Sequence, residues 1–431
     1  MSSKTKTIAT KEEATPALVP KLRFPGFKKP WANDPLAKSL VEHKLKNTAG
    51  RDVFSVSMES GIVNQIEHLG RSFAASDTAH YTIGRRYDVV YTKSPLKAFP
   101  FGIVKQCKFD GEVALSPLYG VFTPPNPHVG LMVEAYFESP SRSKAFLAPL
   151  CQKGAKNTLQ ITNTTFLSGR MPLPTEPAEQ QKIAECLSSV DELMSEQARK
   201  VDALKTHKKG LMQQLFPREG ETQPRLRFPE FQNAGEWVEK RLEDLAKRGS
   251  GHTPSKSYPE YYNGGIKWVS LADSKRLDCG LISDTAIEIS EKGIQNSSAV
   301  LHPAGTVLIS RDAGIGKSAV MSLSMAVSQH FIAWTCKPRL LSNWFLYHLL
   351  QKSKPLFERA ATGSTIKTIG LQFFIDLVFR VASLPAQQRI ADCLNSLDDL
   401  ITAEAQKFEA LKTHKKGLMQ QLFPSTSETT A

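Results

Sequence analysis

Cysteine and long apolar runs are both scarce in this sequence. Its six cysteines are scattered and form no C-x-x-C pair, which argues against a disulfide framework and against a zinc site. No apolar run approaches the ~18 residues of a membrane-spanning helix. Residues 1–20 are polar and lack the apolar core of a signal peptide. These absences predict a cytoplasmic protein with reduced cysteines, no metal site and no membrane partner.

Acidic side chains are outnumbered by basic ones. The 431 residues include 55 Lys and Arg against 42 Asp and Glu, a formal net charge of +13. An excess of this size favours a polyanionic partner, and nucleic acid is the first candidate. The chain is also too long for one ordinary domain, so we expect two or three.

An exact repeat divides the chain. The segment ALKTHKKGLMQQLFP at residues 203–217 recurs unchanged at 410–424, an offset of 207. The same offset aligns EQQKIAECLSSVDEL (179–193) with AQQRIADCLNSLDDL (386–400). Self-similarity at a fixed offset indicates a duplicated structural unit.

The repeat extends to the globular parts. KLRFPGF (21–27) resembles RLRFPEF (225–231), and ALSPLYGVFTP (114–124) shares its alternating, strand-like pattern with AVSQHFIAWTC (326–336). The unit is therefore a whole half-protein. We predict two heads with one fold and different surfaces, attached to one shared frame.

Heptad spacing follows each head. Apolar residues recur at intervals of four and three, and polar residues interrupt both series at matching places, Gln197 with Glu404 and Lys208 with Lys415. This predicts two long helices that pair as an antiparallel coiled coil with an approximate internal two-fold relation. The alternative is that each helix packs only on its own head. The predicted seam consists of Ile183, Leu187, Val190, Met194, Val201, Leu204, Leu211 and Leu215, and of Ile390, Leu394, Leu397, Ile401, Phe408, Leu411, Leu418 and Leu422.

Helix length bounds the spacing of the heads. A helix from Ile183 to Leu215 rises ~1.5 Å per residue and spans on the order of 50 Å. Two unlike heads on such a spacer predict a bipartite, asymmetric DNA target. At ~3.4 Å per base pair, its half-site centres would lie on the order of fifteen base pairs apart.

The predicted fold class is α+β, with two strand-rich recognition domains that are each followed by a long helix. The expected divisions are a flexible tail at 1–20, the first domain at 21–175, a spacer helix at 176–218, the second domain at 219–382, a spacer helix at 383–424 and a tail at 425–431.

Four segments carry a family signature: LPAQQRIADCLNSLDDLI (384–401), LKTHKKGLMQQLFP (411–424), GHTPSKSYPEYYNGGIKWVSLAD (251–273) and RDAGIGKSAV (311–320). With these segments and the duplicated arrangement, residues 21–424 resemble the specificity subunits of type I restriction-modification systems. The first head lacks the Gly-x-Thr-Pro-Ser opening, so there the resemblance rests on strand patterning such as VFSVSMESGIV (53–63).

The resemblance implies a non-catalytic subunit of a system that defends against foreign DNA. It implies double-stranded DNA, two modification subunits and two restriction subunits as partners. S-adenosylmethionine, ATP and Mg are then expected on those partner subunits, with no cofactor in this chain. The long helices would form the platform for the modification subunits.

Side chains that suit phosphates and base edges occur in several predicted loops. The candidates in the first head are Arg85, Arg86, Lys93, Lys105, Lys156 and Asn157, and those in the second are Thr253, Ser255, Lys256, Trp268, Ser270, Arg311, Lys317, Ser364, Thr365 and Lys367. Trp268 is equally consistent with a core position. Arg311 and Lys317 fit either a DNA-contacting hairpin loop or a solvated turn between the strand-like segments VLIS (307–310) and AVMSL (319–323).

Three enzymatic interpretations are weaker. AGIGKS (313–318) resembles a phosphate-binding loop, but Arg311 stands where the motif requires glycine. Asp34, Glu42 and Lys44 follow the order of a metal-dependent nuclease triad, a spacing that arises freely by chance. TPPNP (123–127) lacks the polar and aromatic residues of an adenine methyltransferase loop. We therefore predict no catalytic residue, and the rival from another class is a stand-alone DNA-binding or scaffold protein.

Overall fold

The computed structural model describes residues 18–153, 159–363 and 367–424. It divides into two compact units, of which unit 1 is built from two parts of the chain and unit 2 from one. Unit 1 comprises residues 1–196 with 408–431, and unit 2 comprises residues 197–407. The units therefore cut across the predicted domain boundaries, because each long helix contributes residues to both.

Unit 1 contains a recognition head of short strands and helices. Its strands are β1 (Ala32–Pro35), β2 (Val41–Glu42), β3 (Val53–Ser57), β4 (Gly61–Asn64), β5 (Thr82–Arg85), β6 (Val89–Thr92), β7 (Ile103–Gln106), β8 (Glu112–Leu115), β9 (Gly120–Thr123), β10 (Gln152–Lys153), β11 (Leu159–Gln160) and β12 (Arg170–Leu173). Its helices are α1 (Gln65–Leu69), α2 (Pro127–Phe137), α3 (Pro140–Leu147), α4 (Asn163–Ser168) and the first part of α5 (Pro177–Leu215).

Unit 2 repeats this order. Its strands are β13 (Val238–Arg241), β14 (Ala246–Ser250), β15 (Tyr262–Val269), β16 (Leu281–Ile282), β17 (Glu288–Ile289), β18 (Leu301–His302), β19 (Val307–Ser310), β20 (Ser318–Met321), β21 (Met325–Val327), β22 (Phe331–Cys336) and β23 (Val378–Val381). Its helices are α6 (Leu242–Leu245), α7 (Glu291–Gln295), α8 (Asn343–Lys352), α9 (Lys354–Ala360), α10 (Leu371–Ile375) and the first part of α11 (Leu384–Leu422).

The sheets have matching topologies. Strand order β2-β9-β6-β7 in unit 1 corresponds to β14-β22-β19-β20-β16 in unit 2, and β4-β3-β8-β5 corresponds to β17-β15-β21-β18. Each second sheet contains one parallel pair, β3 with β8 and β15 with β21. β1 pairs with β12 as β13 pairs with β23. The predicted match between residues 114–124 and 326–336 is confirmed, because these segments contain β8 and β9, and β21 and β22.

Each long helix ends in the core of the unit in which it did not begin. Phe216, just after α5, packs edge-on to Trp237 in unit 2, with ring centroids 6.0 Å apart. Phe423, just after α11, packs edge-on to Trp31 in unit 1 at the same centroid distance. The predicted α+β class with two long helices is confirmed. None of the helices that the structure describes is long and apolar enough to cross a membrane.

The helices pair in antiparallel fashion inside each unit. In unit 2, Gln197 donates to the Glu404 carboxylate at 2.6 Å, and Lys208 further along α5 contacts Asp398 earlier in α11. In unit 1, Lys415 lies 2.7 Å from Asp191. Every residue predicted for the seam is buried or half-buried, whereas Leu193 and Leu400, outside the predicted seam, are 52% and 41% exposed.

Candidate nucleic-acid interface

The loop between β19 and β20 is a hairpin loop, as predicted. The strands pair in register from Val307 opposite Val320 to Ile309 opposite Ser318. Within the loop, Ala313, Gly314 and Gly316 have positive φ angles of 34°, 112° and 76°, a conformation that favours glycine. A phosphate-binding loop runs from a strand into a helix, so the strand that follows this loop does not fit a nucleotide site.

Arg311 joins this hairpin loop to two neighbouring loops. Its backbone N–H donates to the carbonyl of His330 at 3.0 Å, and its carbonyl accepts from the N–H of Ile369 at 2.8 Å. Its side-chain Nε donates to the Ile369 carbonyl at 3.1 Å. Asp312 forms an isolated antiparallel β-bridge with Thr368, and its Oδ2 lies 2.7 Å from Nδ1 of His330. The geometry of the three loops is therefore fixed by mutual hydrogen bonds.

The opening loop of the second head lies at the same end of the sheet. His252 donates its N–H to the Val327 carbonyl at 3.1 Å, and Thr253 Oγ1 donates to Gln329 at 2.6 Å. Gly251 approaches so closely that a Cβ there would lie 1.7 Å from the Val327 carbonyl oxygen. These contacts bring Thr253 and the exposed Ser255 and Lys256 beside the hairpin loop.

The carboxylate of the hairpin loop, that of Asp312, contacts His330 rather than a lysine or an arginine. Lys317 donates to the carbonyl and hydroxyl of Ser274 at 3.0 and 3.1 Å. Within the described residues, Lys256, Arg311, Lys317 and Lys367 form no ion pair with a carboxylate. Polar side chains and uncompensated cations on ordered loops are suited to phosphates and base edges. We define the described parts of these four loops, residues 251–256, 311–317 and 328–330 together with 361–363 and 367–369, as the loop face of the second head.

Trp268 and Ser270 do not belong to the loop face. Trp268 is 4% exposed and packs in a small core with Ile289 and Ala326. Ser270 is 7% exposed and its hydroxyl is bonded to the buried carboxylate of Asp273. The prediction that they contact DNA is wrong, because both side chains are buried and make their contacts inside the head.

Lys93 occupies the matching place in the first head. It follows β6 directly, as Arg311 follows the equivalent strand β19. Partial burial lowers the pKa of Lys93, and the nearby carboxylate of Glu42 opposes this effect. Lys93 thus remains a candidate at the corresponding end of the first sheet.

Arg85 and Arg86 lie at the opposite end of β6. They precede that strand, and both are exposed. Arg85 pairs with Glu112 at 3.2 Å and Arg86 with Asp110 at 3.1 Å. The sequence grouped these arginines with Lys93, but the strand separates them, so they do not form one surface with it.

Lys105 is a core residue. It is 4% exposed, and its ammonium lies 2.9 Å from Glu138 and 3.4 Å from Glu134. The prediction that Lys105 contacts DNA is wrong, because Glu134 in α2 and Glu138 just after it already hold its charge inside the head. Of the other candidates, Lys156, Asn157, Ser364 and Thr365 lie outside the described residues.

Sequence reasoning missed two lysines. Lys44 and Lys46 are exposed and follow β2, the strand that matches β14 before the opening loop of the second head. Lys46 donates to the His80 carbonyl at 2.9 Å, and Lys44 lies 3.6 Å from Glu42. Matching the strands of the two halves would have found them, but Lys44 was considered only as part of a nuclease triad.

The nuclease residues are divided between two sheets. Asp34 lies in β1 and pairs with Lys38 at 2.8 Å, while Glu42 lies in β2 and accepts from Asn163 at 2.9 Å. In the part of the chain that the structure describes, no group of three or more His, Cys, Asp or Glu side chains is placed to hold a metal ion.

Comparison with known proteins identifies the class of the second half. Residues 234–413 match the family model of the type I restriction modification DNA specificity domain. The MjaIX specificity subunit of Methanocaldococcus jannaschii is 29% identical over 180 residues, 41% of each chain. The MjaX subunit of the same organism, described as putative, is 26% identical over 274 residues, 63% of this chain and 62% of that one. The chain thus matches about two fifths to three fifths of the length of these relatives.

Solved structures share the fold over nearly the whole chain. The specificity subunit from M. genitalium superposes with a TM-score of 0.58 at 14% identity, covering 95% of this chain and all of that one. A chain from a study of assembly and conformational transition in the type I restriction-modification system gives a TM-score of 0.52 at 17% identity, covering 93% and 99%. The family resemblance inferred from the sequence is confirmed, and the family match falls on residues 234–413.

Proposed function

We propose that this chain recognises two unlike DNA half-sites as the specificity subunit of a type I restriction-modification complex. The observation that carries the proposal is the duplicated head, whose equivalent strands lead into loops of different sequence. Arg311 in one head and Lys93 in the other follow equivalent strands, β19 and β6. Cations on such loops contact phosphates, and their polar neighbours can contact base edges.

The chemistry is assigned to partner subunits. Two modification subunits, carrying S-adenosylmethionine, would methylate adenine, and two restriction subunits would hydrolyse ATP with Mg and cut. The chain itself would be a cytoplasmic, non-catalytic adaptor without a cofactor. Its paired helices α5 and α11 would provide the platform on which the modification subunits bind, and their length would set the distance between half-sites.

The decisive experiment is modification-sensitive genome sequencing in a methylation-free host. The host expresses the neighbouring modification subunit with or without this chain. We expect methylated adenines in a split, asymmetric motif only when the chain is present. If the modification subunit methylates the same sites alone, or if both proteins associate and no motif appears, the stand-alone DNA-binding or scaffold function replaces the proposal.

A further inference from the structure

Unit 2 contains a cavity of about 360 Å³ between the RLRFPEF segment and the start of α11. Its walls are largely apolar and aromatic, and they include Phe228, Trp237, Val381 and Ile390. The charged residues of the lining are Arg227, Arg339 and Lys240, with Glu236 as the acidic one. The volume falls within the ~300–1,000 Å³ typical of small-molecule sites, which combine apolar walls with a few polar groups.

The equivalent place in unit 1 is filled by a carboxylate of the chain. Arg23 donates to both oxygens of Glu179, from Nε at 2.7 Å and from Nη2 at 2.8 Å. The indole N–H of Trp31 donates to the same carboxylate at 3.3 Å. Glu179 is fully buried, and the hydrogen bond to it raises the pKa of Arg23. This is a paired and well-bonded internal charge.

Unit 2 keeps the arginine and the tryptophan but not the glutamate. Arg227 matches Arg23 in the shared LRFP motif, and Trp237 matches Trp31 directly before the first strand. At the offset of 207, Ala386 replaces Glu179, and Ala386 lines the cavity. Within the described residues, Arg227 donates to the carbonyls of Ala234 and Gly235 and forms no ion pair. The indole N–H of Trp237 has no hydrogen-bond partner among these residues.

We propose that this cavity binds a small carboxylic acid with an apolar body. The carboxylate takes the role that Glu179 has in unit 1, with Arg227 and Trp237 as donors. The apolar body fills the space beside Phe228 and Ile390, which a single glutamate side chain would not occupy. Charge-assisted hydrogen bonds to a guanidinium are the strong ones, so recognition depends on the acid being ionised. The proposal does not rest on the proposed function.

The test is a calorimetric titration of the full chain with phenylacetate, with the neutral phenylacetamide as matched ligand. We expect one equivalent of phenylacetate to bind. The amide should bind at least about tenfold more weakly, which is the usual effect of losing a charged hydrogen bond. Equal binding of acid and amide, or no binding of either, overturns the proposal.

Two variants locate the site. Ala386→Glu supplies the missing carboxylate from the chain, so it should abolish phenylacetate binding and raise the melting temperature. Glu179→Ala creates the same space in unit 1 and should add a second binding equivalent if it folds. Glu236 also lines the cavity and is exposed, so Glu236→Gln should leave binding intact. Unchanged phenylacetate binding in Ala386→Glu, or binding seen only in Glu236→Gln, contradicts the proposal.

Discussion

At the scale of single residues, two lysines of the two heads show how surroundings decide a role. Lys105 is buried and lies within hydrogen-bond distance of Glu138, just after α2. Lys256 is exposed in the opening loop of the second head and has no ion-pair partner among the described residues. A buried, paired charge stabilises the fold, whereas an exposed, unpaired one is available to a phosphate.

Replacing these lysines should therefore separate stability from DNA binding. Lys105→Met leaves Glu134 and Glu138 without their shared cation, which should cost about 3–5 kcal/mol of unfolding free energy. Lys256→Met should leave stability within about 0.5 kcal/mol and reduce the salt slope of DNA binding by about one. Urea unfolding and DNA titration at several salt concentrations measure both effects. A Lys105 variant with native stability and a reduced salt slope would restore Lys105 as a DNA contact.

His348 should make unit 2 sensitive to acid. Burial, helped by the nearby charge of Lys208, lowers the pKa of His348 to about 3, although Asn395 accepts a hydrogen bond from it at 2.8 Å. The unfolded chain binds this proton near pH 6.5, so stability should fall as pH decreases from 6.5 to 3, by about 1.4 kcal/mol per unit at most. Burial also lowers the pKa of His302, which adds to the effect.

Unfolding free energies of the wild type and His348→Gln between pH 4 and 7.5 test this assignment. The variant cannot take up the proton, so its stability should vary less with pH, whatever its value at neutral pH. Parallel curves for the two proteins would show that other groups cause the acid sensitivity.

Residue placement was the least predictable level. Trp268 and Ser270 follow a glycine pair that signals a loop, but the structure makes them the end of β15 and the cap of a buried turn. Lys105 lies in β7, where all four residues are buried. A strand that is covered on both faces has no alternation of polar and apolar residues. The sequence of β7 therefore gave no sign that Lys105 is buried.

At the scale of elements, the two helix pairs use identical lysines in unequal surroundings. Among the described residues, Asp398 is the one carboxylate partner of Lys208, whose side chain is 15% exposed. Its counterpart Lys415 contacts Asp191 and, in addition, Glu138 of the first head at 2.7 Å. Burial alone would raise the pKa of Glu138, but Lys105 and Lys415 together hold it below its usual range. Glu138 therefore depends on both lysines.

The matched variants Lys415→Met and Lys208→Met should differ in stability. Loss of Lys415 removes one cation from the buried Glu138 and should cost about 3 kcal/mol, as breaking a buried pair does. Loss of Lys208 affects one half-exposed carboxylate and should cost about 1 kcal/mol. Chemical unfolding followed separately through each unit compares the two variants. Equal losses of unfolding free energy would mean that the contact between Lys415 and Glu138 contributes nothing.

Periodic elements were predicted best. The heptads identified both long helices and their matched polar positions, and the strand-like segments on either side of residues 311–318 identified the hairpin of β19 and β20. The spacer predicted from residue 176 agrees with the start of α5 at Pro177, whereas the predicted seam begins only at Ile183. A heptad pattern includes only the residues that face one partner helix, so it ends where the helix packs against something else.

At the scale of the whole molecule, the duplication was visible in the sequence but the composition of the units was not. Unit 1 is completed by residues far away in the chain, such as Phe423, whereas the core of unit 2 takes Phe216 from the end of α5, just before its own head. The repeated QQLFP segments are identical, so no local signal assigns either to a head. Only the packed cores show which end belongs to which unit.

The excess positive charge should make DNA binding strongly dependent on salt. If the two heads together neutralise six or more phosphates, affinity should fall by roughly 10³ or more between 50 and 200 mM salt. Titration of a duplex with the full chain across this range gives the slope. A flat dependence would show that the charge of +13 does not serve DNA binding.

Substitutions in the two heads should alter different halves of the DNA motif. Lys256 belongs to the loop face of the second head and Lys93 to the matching loop of the first, and the heads have separate cores. A change in one loop therefore leaves the fold of the other head intact. Each substitution removes a cation and introduces an amide that can bond base edges. Methylated motifs of Lys256→Asn and Lys93→Asn, determined beside the wild type in the same host, should each change at one half-site and stay unchanged at the other. A change in both halves by one substitution would mean that the heads do not recognise DNA independently.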